Sequence, residues 1–209
     1  MAIGAVITGD FVNSTLTSKP QHKKLISEVE TILSPYKFEF FRGDSFQVYL
    51  KDVDKSLETI LKIRLAAQKL PLASSKPLVD VRAGIGIGNV TPPVRTLNTL
   101  LDDAFVLSGR SLDDLNNSDN RLKIESSNDK ANGAFRVISY FLDYILSQLT
   151  TKQAAVLFEL LMGRTQTEAA KKLRKSQVTI NKQVHAAGWL EIERLLLEFK
   201  HTIYQFNLK

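Results

Sequence analysis

The sequence predicts an α+β domain over residues 1–133 followed by an all-α domain over residues 134–209. Three observations carry this expectation. Strand and helix patterns follow the order β-α-β-β-α-β, the ferredoxin-like or split βαβ plan, with a further helix and strand appended. Residues 40–50 set a Gly-Asp pair between two aromatic-rich apolar runs, the pattern of a hairpin with a tight turn. Beyond residue 133 the apolar spacing turns helical and the charge turns basic. That part carries 11 Lys/Arg against 6 Asp/Glu, whereas the part before it carries 17 against 16.

The totals bound the answer. A chain of 209 residues allows one large domain or two small ones. At 44% hydrophobic and 24% charged it has the composition of a soluble globular protein. No apolar run approaches the roughly 18 residues of a membrane span, so no membrane association is expected. The N-terminal residues lack the basic stretch of a secretory signal. The absence of cysteine excludes disulfides, cysteine-bound zinc and thiol catalysis, and fits the cytoplasm. Of the net charge of +6, the C-terminal part contributes +5 (11 minus 6), which points to a polyanion as its partner.

In chain order, residues 2–10 read as a strand of small and β-branched residues, and residues 10–15 as a polar turn. A helix over 20–33 places Leu25, Ile26, Val29, Ile32 and Leu33 on one face. The hairpin covers 37–51, and a second helix over 56–70 repeats Leu57, Leu61 and Leu65 at intervals of four. A loop at 71–77 leads to a strand over 78–87 that ends in Gly-rich sequence. A helix over 97–115, a short strand over 121–126 and a loop to residue 133 complete the first domain. The expected sheet is antiparallel, with its helices on one face and the first strand beside the hairpin.

That topology gathers a candidate site. Asp10 ends the first strand and Asp44 tips the hairpin, and two carboxylates at one sheet end suit a hard divalent cation such as Mg²⁺ or Mn²⁺. The turn offers a phosphate cradle. Phe11, Val12 and Asn13 supply backbone N–H groups and Ser14 and Thr15 supply hydroxyls ahead of a helix, with Arg42 and Gly43 from the hairpin beside them. A nucleotide held through a metal is the expected ligand.

The C-terminal part begins with a helix over 135–148 that is apolar along nearly a whole side. A second helix starts near residue 149 and stops at Gly163. Thr165 and Glu168 have capping-box spacing before a short helix over 168–173. Arg174, Lys175 and Ser176 then turn the chain into a helix over 177–187, closed by Gly188. This is the helix-turn-helix plan. Ala169, Ala170 and Leu173 would pack beneath Ile180 and Val184, leaving Gln177, Val178, Asn181, Lys182 and His185 outward to read double-stranded DNA. Lys171, Lys172, Arg174 and Lys175 flank the turn where phosphates would run. His185 has no histidine partner at metal-ligand spacing. A final amphipathic helix over 189–206 closes the domain or forms a dimer seam.

Three motifs carry a resemblance. Ile7-Thr8-Gly9-Asp10-Phe11, Arg42-Gly43-Asp44-Ser45-Phe46 and Arg82-Ala83-Gly84-Ile85-Gly86-Ile87-Gly88 resemble, in order and spacing, class III nucleotide cyclase domains. The resemblance implies a cyclase-like fold for the first domain and makes Asp10 and Asp44 the metal carboxylates. It also shows departures. Phe40 stands where the cyclases carry a base-selecting lysine. Asp102 or Asp103 matches the Asp that follows the Gly-rich strand. Counting on from Asp103, Arg110 and Asp114 fall where an Asn and an Arg are required. Phosphoryl transfer depends on positioning and charge stabilisation, so those losses remove most of the rate. The second domain resembles the DNA-binding modules of bacterial sigma factors. The whole chain is similar to the SatD family of bacterial proteins, which joins a degenerate cyclase-like domain to a helix-turn-helix.

The function expected is a cytoplasmic, homodimeric DNA-binding transcriptional regulator with a non-catalytic, cyclase-like sensing domain. The alternatives are a divergent metal-dependent nucleotidyl or phosphoryl transferase acting through Asp10 and Asp44, and a protein-interaction adaptor.

Overall fold

The structure is a computed structural model that describes residues 2–41, 43–72, 74–97 and 101–209. Its strands are β1 (Ala2–Val12), β2 (Lys37–Phe41), β3 (Ser45–Leu50), β4 (Asp80–Val90) and β5 (Leu122–Ser126). Its helices are α1 (Lys19–Leu33), α2 (Ser56–Gln68), α3 (Asp103–Leu115), α4 (Asp129–Gln148), α5 (Thr151–Leu161), α6 (Gln166–Leu173), α7 (Gln177–Ala186) and α8 (Trp189–Gln205). The protein is α+β, with one five-stranded sheet in the order β2-β3-β1-β4-β5.

The first four strands follow the βαββαβ order, and β1 lies between the hairpin strand β3 and β4, antiparallel to both. Two features of the expected sheet need correction. The added strand β5 runs parallel to β4, so a crossover must join them, and α3 supplies it. The helices also do not share one face. Ala83, Ile85 and Ile87 of β4 enter the main core with Leu25 and Val29 of α1 and Leu57 and Ile60 of α2. The alternate residues Gly84, Gly86 and Gly88 face α3 instead. A Cβ at Gly84 or Gly86 would run into the backbone of Ser108 or Ala104. Three glycines at period two strip one face of the strand, and α3 packs directly on it. Thr8 of β1 meets α3 there, its hydroxyl 2.9 Å from that of Ser108. Val6, Val90, Leu97, Ala104 and Phe105 form a second apolar cluster on this side.

Helix limits also shift. α3 begins at Asp103; of the preceding residues expected to be helical, Leu97, Leu101 and Asp102 are not, and residues 98–100 lie outside the described residues. Asp102 precedes the helix and fixes the approach by accepting the Thr91 N–H at 2.6 Å. α4 begins at Asp129 where a loop was expected, because the Asn128 side chain caps it by accepting the N–H groups of Lys130 and Ala131. The composition boundary at 133/134 therefore falls inside α4. Phe135 and Leu142 of α4, Leu157 of α5 and Phe199 of α8 belong to the same buried cluster as the sheet and α2.

A buried ion network reinforces that junction. Arg64 of α2 is 1% exposed. Its guanidinium makes a two-toothed contact with Asp80 at the start of β4, at 3.1 and 2.9 Å, and also pairs with Asp143 of α4. The second oxygen of Asp143 accepts the N–H groups of Arg121 and Leu122, at 2.8 and 3.0 Å. Burial alone would lower the Arg64 pKa; the two carboxylates outweigh it and raise it above its ordinary value.

Candidate functional site

The sheet end makes the two expected aspartates neighbours along the backbone. Asp10 sits opposite Ser45 in the β1–β3 register, and the Phe11 N–H donates to the Asp44 carbonyl at 2.9 Å. On its other side Asp10 sits opposite Arg82. The Arg82 guanidinium forks onto the Asp10 carboxylate, Nε at 3.2 Å and Nη2 at 2.7 Å. A bidentate pair of this kind is strong and directional. The Asp44 carboxylate accepts the Ser45 hydroxyl at 3.4 Å. Among the described residues no group of three or more His, Cys, Asp or Glu converges. As folded, Asp10 already holds a cation, so these side chains do not fit a two-metal centre without displacement of Arg82. Arg42 lies outside the described residues. Gly43 is exposed in the hairpin turn at φ 84°, a conformation that favours glycine.

The expected phosphate cradle is arranged differently from its linear reading. β1 continues through Phe11 and Val12. The Phe11 ring is buried against Phe46, with centroids 6.0 Å apart, and its N–H is committed to the hairpin. Asn13 turns the chain in the left-handed region, φ 59°, and its side chain donates to the Leu78 carbonyl at 3.0 Å. Ser14 opens a short 3-10 turn, Thr15 is exposed within it, and α1 starts only at Lys19, capped by Ser18 and Gln21. The α1 N-terminus thus stands a turn away from Asp10.

The positions where cyclases carry catalytic groups have other uses here. Phe40 packs edge-on against Phe38 and at a tilt against Phe46, with centroids 5.9 and 6.2 Å apart. Asp103 accepts from Asn89 at 2.8 Å, Arg110 is exposed on α3, and Asp114 pairs with Lys123.

The C-terminal candidates occupy a second surface. α5, α6 and α7 pack through Val156, Ala170, Ile180 and Val184, with Leu160, Leu173 and Trp189 alongside. The Thr165–Glu168 capping box is formed, and the Thr165 backbone and hydroxyl bonds hold Glu168 below the usual carboxylate pKa. Arg174 ends α6 in the left-handed region, φ 54°, which lets the Lys175 N–H reach back to the Ala170 carbonyl at 3.0 Å. Ser176 caps α7 by accepting the Thr179 N–H. The chain therefore turns sharply between two short helices whose relative position is fixed at both ends.

Val178, Asn181, Lys182 and His185 are exposed on one side of α7, and Lys171, Arg174 and Lys175 are exposed beside the turn. Two candidates have partners. The Gln177 amide donates to the Thr167 hydroxyl at 2.9 Å, tying α7 to α6. Lys172 lies 3.2 Å from Glu159, a carboxylate buried in α5 that also binds Arg164. No Asp or Glu occurs from Ala169 to Gly188, a stretch with five Lys/Arg.

Sequence reasoning missed Arg82, although it quoted the residue within a motif, because the pairing with Asp10 exists only once the register is known. It also missed Arg64, Asp80 and Asp143. The available signal was an arginine one residue before Leu65 inside the apolar run of α2.

No family model matches this chain, and no curated protein matches it. Among solved structures, a bacterial light-regulated adenylyl cyclase overlaps it at 16% identity with a TM-score of 0.42, covering 59% of this chain and 42% of that one. The chain thus spans less than half the length of that cyclase. No helix among the described residues is long and apolar enough to cross a membrane.

Proposed function

We propose that this protein is a double-stranded DNA-binding regulator of SatD type. In this reading α6 and α7 form a helix-turn-helix, α7 enters the major groove, and the five-stranded layer is a non-catalytic sensing domain of cyclase-like ancestry. One observation carries the reading: an exposed α7 face bearing Asn181, Lys182 and Val178 lies beside exposed Lys171, Arg174 and Lys175, in a stretch without a single carboxylate. Asn can pair with adenine edges and Lys with guanine, and Val178 offers apolar contact to thymine methyl groups. Gln177 and Lys172 act as internal braces that hold the reading helix in place. The Arg82–Asp10 pair disfavours the transferase alternative.

Selecting a preferred duplex from a random pool and comparing wild type with Asn181→Ala/Lys182→Ala tests this. Both side chains are exposed and outside the core, so the variant keeps its melting temperature. Its affinity for the selected site is expected to fall roughly 10- to 100-fold. Unchanged affinity and site preference would show that α7 is not the reading helix.

Helix-turn-helix proteins commonly bind as pairs on two half-sites, and α4 offers a seam for a second copy. Val137, Tyr140, Phe141 and Tyr144 follow i, i+3, i+4, i+7 spacing and are 53, 53, 56 and 65% exposed. Three half-exposed aromatic rings and a valine amount to about 350 Å² per copy. At the roughly 60% apolar content of interfaces, two such faces correspond to about 1,200 Å² in total, the lower bound of a stable pair. Phe141→Glu is expected to weaken the dimer at least about 100-fold in sedimentation equilibrium. A monomeric wild type at tens of micromolar, or a dimer indifferent to the substitution, would place the seam elsewhere.

A further inference from the structure

α1 faces the junction of α5 and α6 across an open trough of about 660 Å³. Lys23 and Lys24 line it from α1, and Arg164 and Lys172 line it from the α5–α6 side. Glu28 is the one carboxylate among the described lining residues, and Lys69 answers it at 2.6 Å. Arg164 and Lys172 share a single carboxylate, that of Glu159. Lys23 and Lys24 are exposed and form no ion pair among the described residues. Five cations thus meet two carboxylates, and the trough keeps a charge of +3 (5 minus 2). The chain is biased in the same way there: no Asp or Glu occurs from Phe11 to Ser27, a stretch with three lysines.

Side-chain contacts tie the two walls together. The Lys69 ammonium that pairs with Glu28 of α1 also sits over the Phe158 ring of α5, 3.6 Å from its centroid. Lys172 of α6 reaches Glu159, the next residue of α5, at 3.2 Å. The trough is also continuous with the basic surface beside the turn. Arg164 directly precedes the Thr165 cap of α6, and Lys172 adjoins the exposed Lys171.

A major groove is about 12 Å wide, a minor groove about 6 Å, and a helix about 10–12 Å across. With α7 in the major groove and α6 over its rim, an element beyond α6 comes over the phosphates that border the adjacent minor groove. We propose that this trough is a second phosphate-backbone contact for the same duplex, so that the first domain itself holds DNA through Lys23 and Lys24. This second contact rests on the reading of α7 as the helix that enters DNA. An acidic peptide fits the trough less well. Phe158 and Ile32 are 2 and 7% exposed, which leaves Met162 as the large apolar lining side chain at the surface to anchor it. Phosphate contacts carry no sequence information, so the trough adds affinity and salt dependence without adding base preference.

The affinity of the full chain for two duplexes, followed by fluorescence anisotropy from about 50 to 200 mM salt, tests this. One duplex ends at the edges of the site selected by α7. The other extends that site by about ten base pairs, one helical turn, on each side. For the wild type the longer duplex is expected to steepen the slope of log affinity against log salt by about 1.8 per copy, the value for two phosphate contacts. Lys23→Gln/Lys24→Gln is expected to remove that increment while keeping the base preference and the melting temperature. Lys37→Gln/Lys51→Gln removes two exposed lysines elsewhere that form no ion pair among the described residues, and it is expected to retain the increment. An increment that survives in Lys23→Gln/Lys24→Gln, or that is lost equally in Lys37→Gln/Lys51→Gln, would overturn the second contact and leave the α7 reading intact. So would capture of polyglutamate through Lys23 and Lys24 with no effect of the same variant on duplex binding. A wild type that binds neither duplex would overturn both.

Discussion

Replacing Asp143 with alanine is expected to destabilise the protein by about 3–5 kcal/mol, the range for breaking a buried ion pair from one side. Arg64 is fully buried. Without Asp143 it keeps Asp80 but loses one of its two counter-charges, and the N–H groups of Arg121 and Leu122 lose their acceptor. At the melting temperature this corresponds to a drop of roughly 6–20 °C for a chain of this size. The solvent-accessible, half-buried helical pair Lys62–Glu58 provides the contrast. Glu58→Ala should cost less than about 1 kcal/mol, because a solvated pair gains little and orders two long side chains. Chemical denaturation of both variants checks this. A similar, small effect for both would mean that the Arg64 network does not hold α2, β4 and α4 together.

Gly86→Val is expected to cost on the order of 3 kcal/mol or more, with little soluble protein recovered. The site is not a turn. Gly86 lies in the middle of β4 with α3 directly above it, and even a methyl group there meets the Ala104 carbonyl and the Ser108 amide. Neither backbone group can move without breaking α3 away from the sheet. Gly109→Ala, in α3 but with open space at its Cβ position, should instead be neutral or stabilising by up to about 1 kcal/mol. Equal tolerance at the two positions in a melting experiment would contradict the placement of α3.

These residues also show what the chain reveals in linear form. The strand order, the hairpin and the capped C-terminal helices are legible because each depends on local spacing, as with Thr165–Glu168 or Gly43–Asp44. The glycines at 84, 86 and 88 were visible too, yet read as a Gly-rich strand end. Their period of two encodes the second helical face. Asn128 was likewise visible as a cap residue, and overlooking it shortened α4 by six residues, from 129 to 135. The cross-strand pair Asp10–Arg82 and the Arg64 network join residues 72 and 79 positions apart. No local pattern contains them, and they decide which charges remain free for a ligand. Lys172 makes the same point, since only packing shows that it answers the buried Glu159.

The most direct measurement of the DNA-binding reading is the affinity of the full chain for a selected duplex at salt concentrations from 50 to 200 mM, by fluorescence anisotropy. With Lys172 held by Glu159, the exposed cations beside the turn are Lys171, Arg174 and Lys175. Three phosphate contacts give a slope of log affinity against log salt of about −2.7 per copy, and about twice that for a pair on two half-sites. Arg174→Gln/Lys175→Gln should reduce the slope by about 2 per copy. A steep slope that drops in this way is the result expected of a helix-turn-helix seated on duplex DNA. Absent binding, or binding indifferent to salt and to both arginine and lysine, would contradict it.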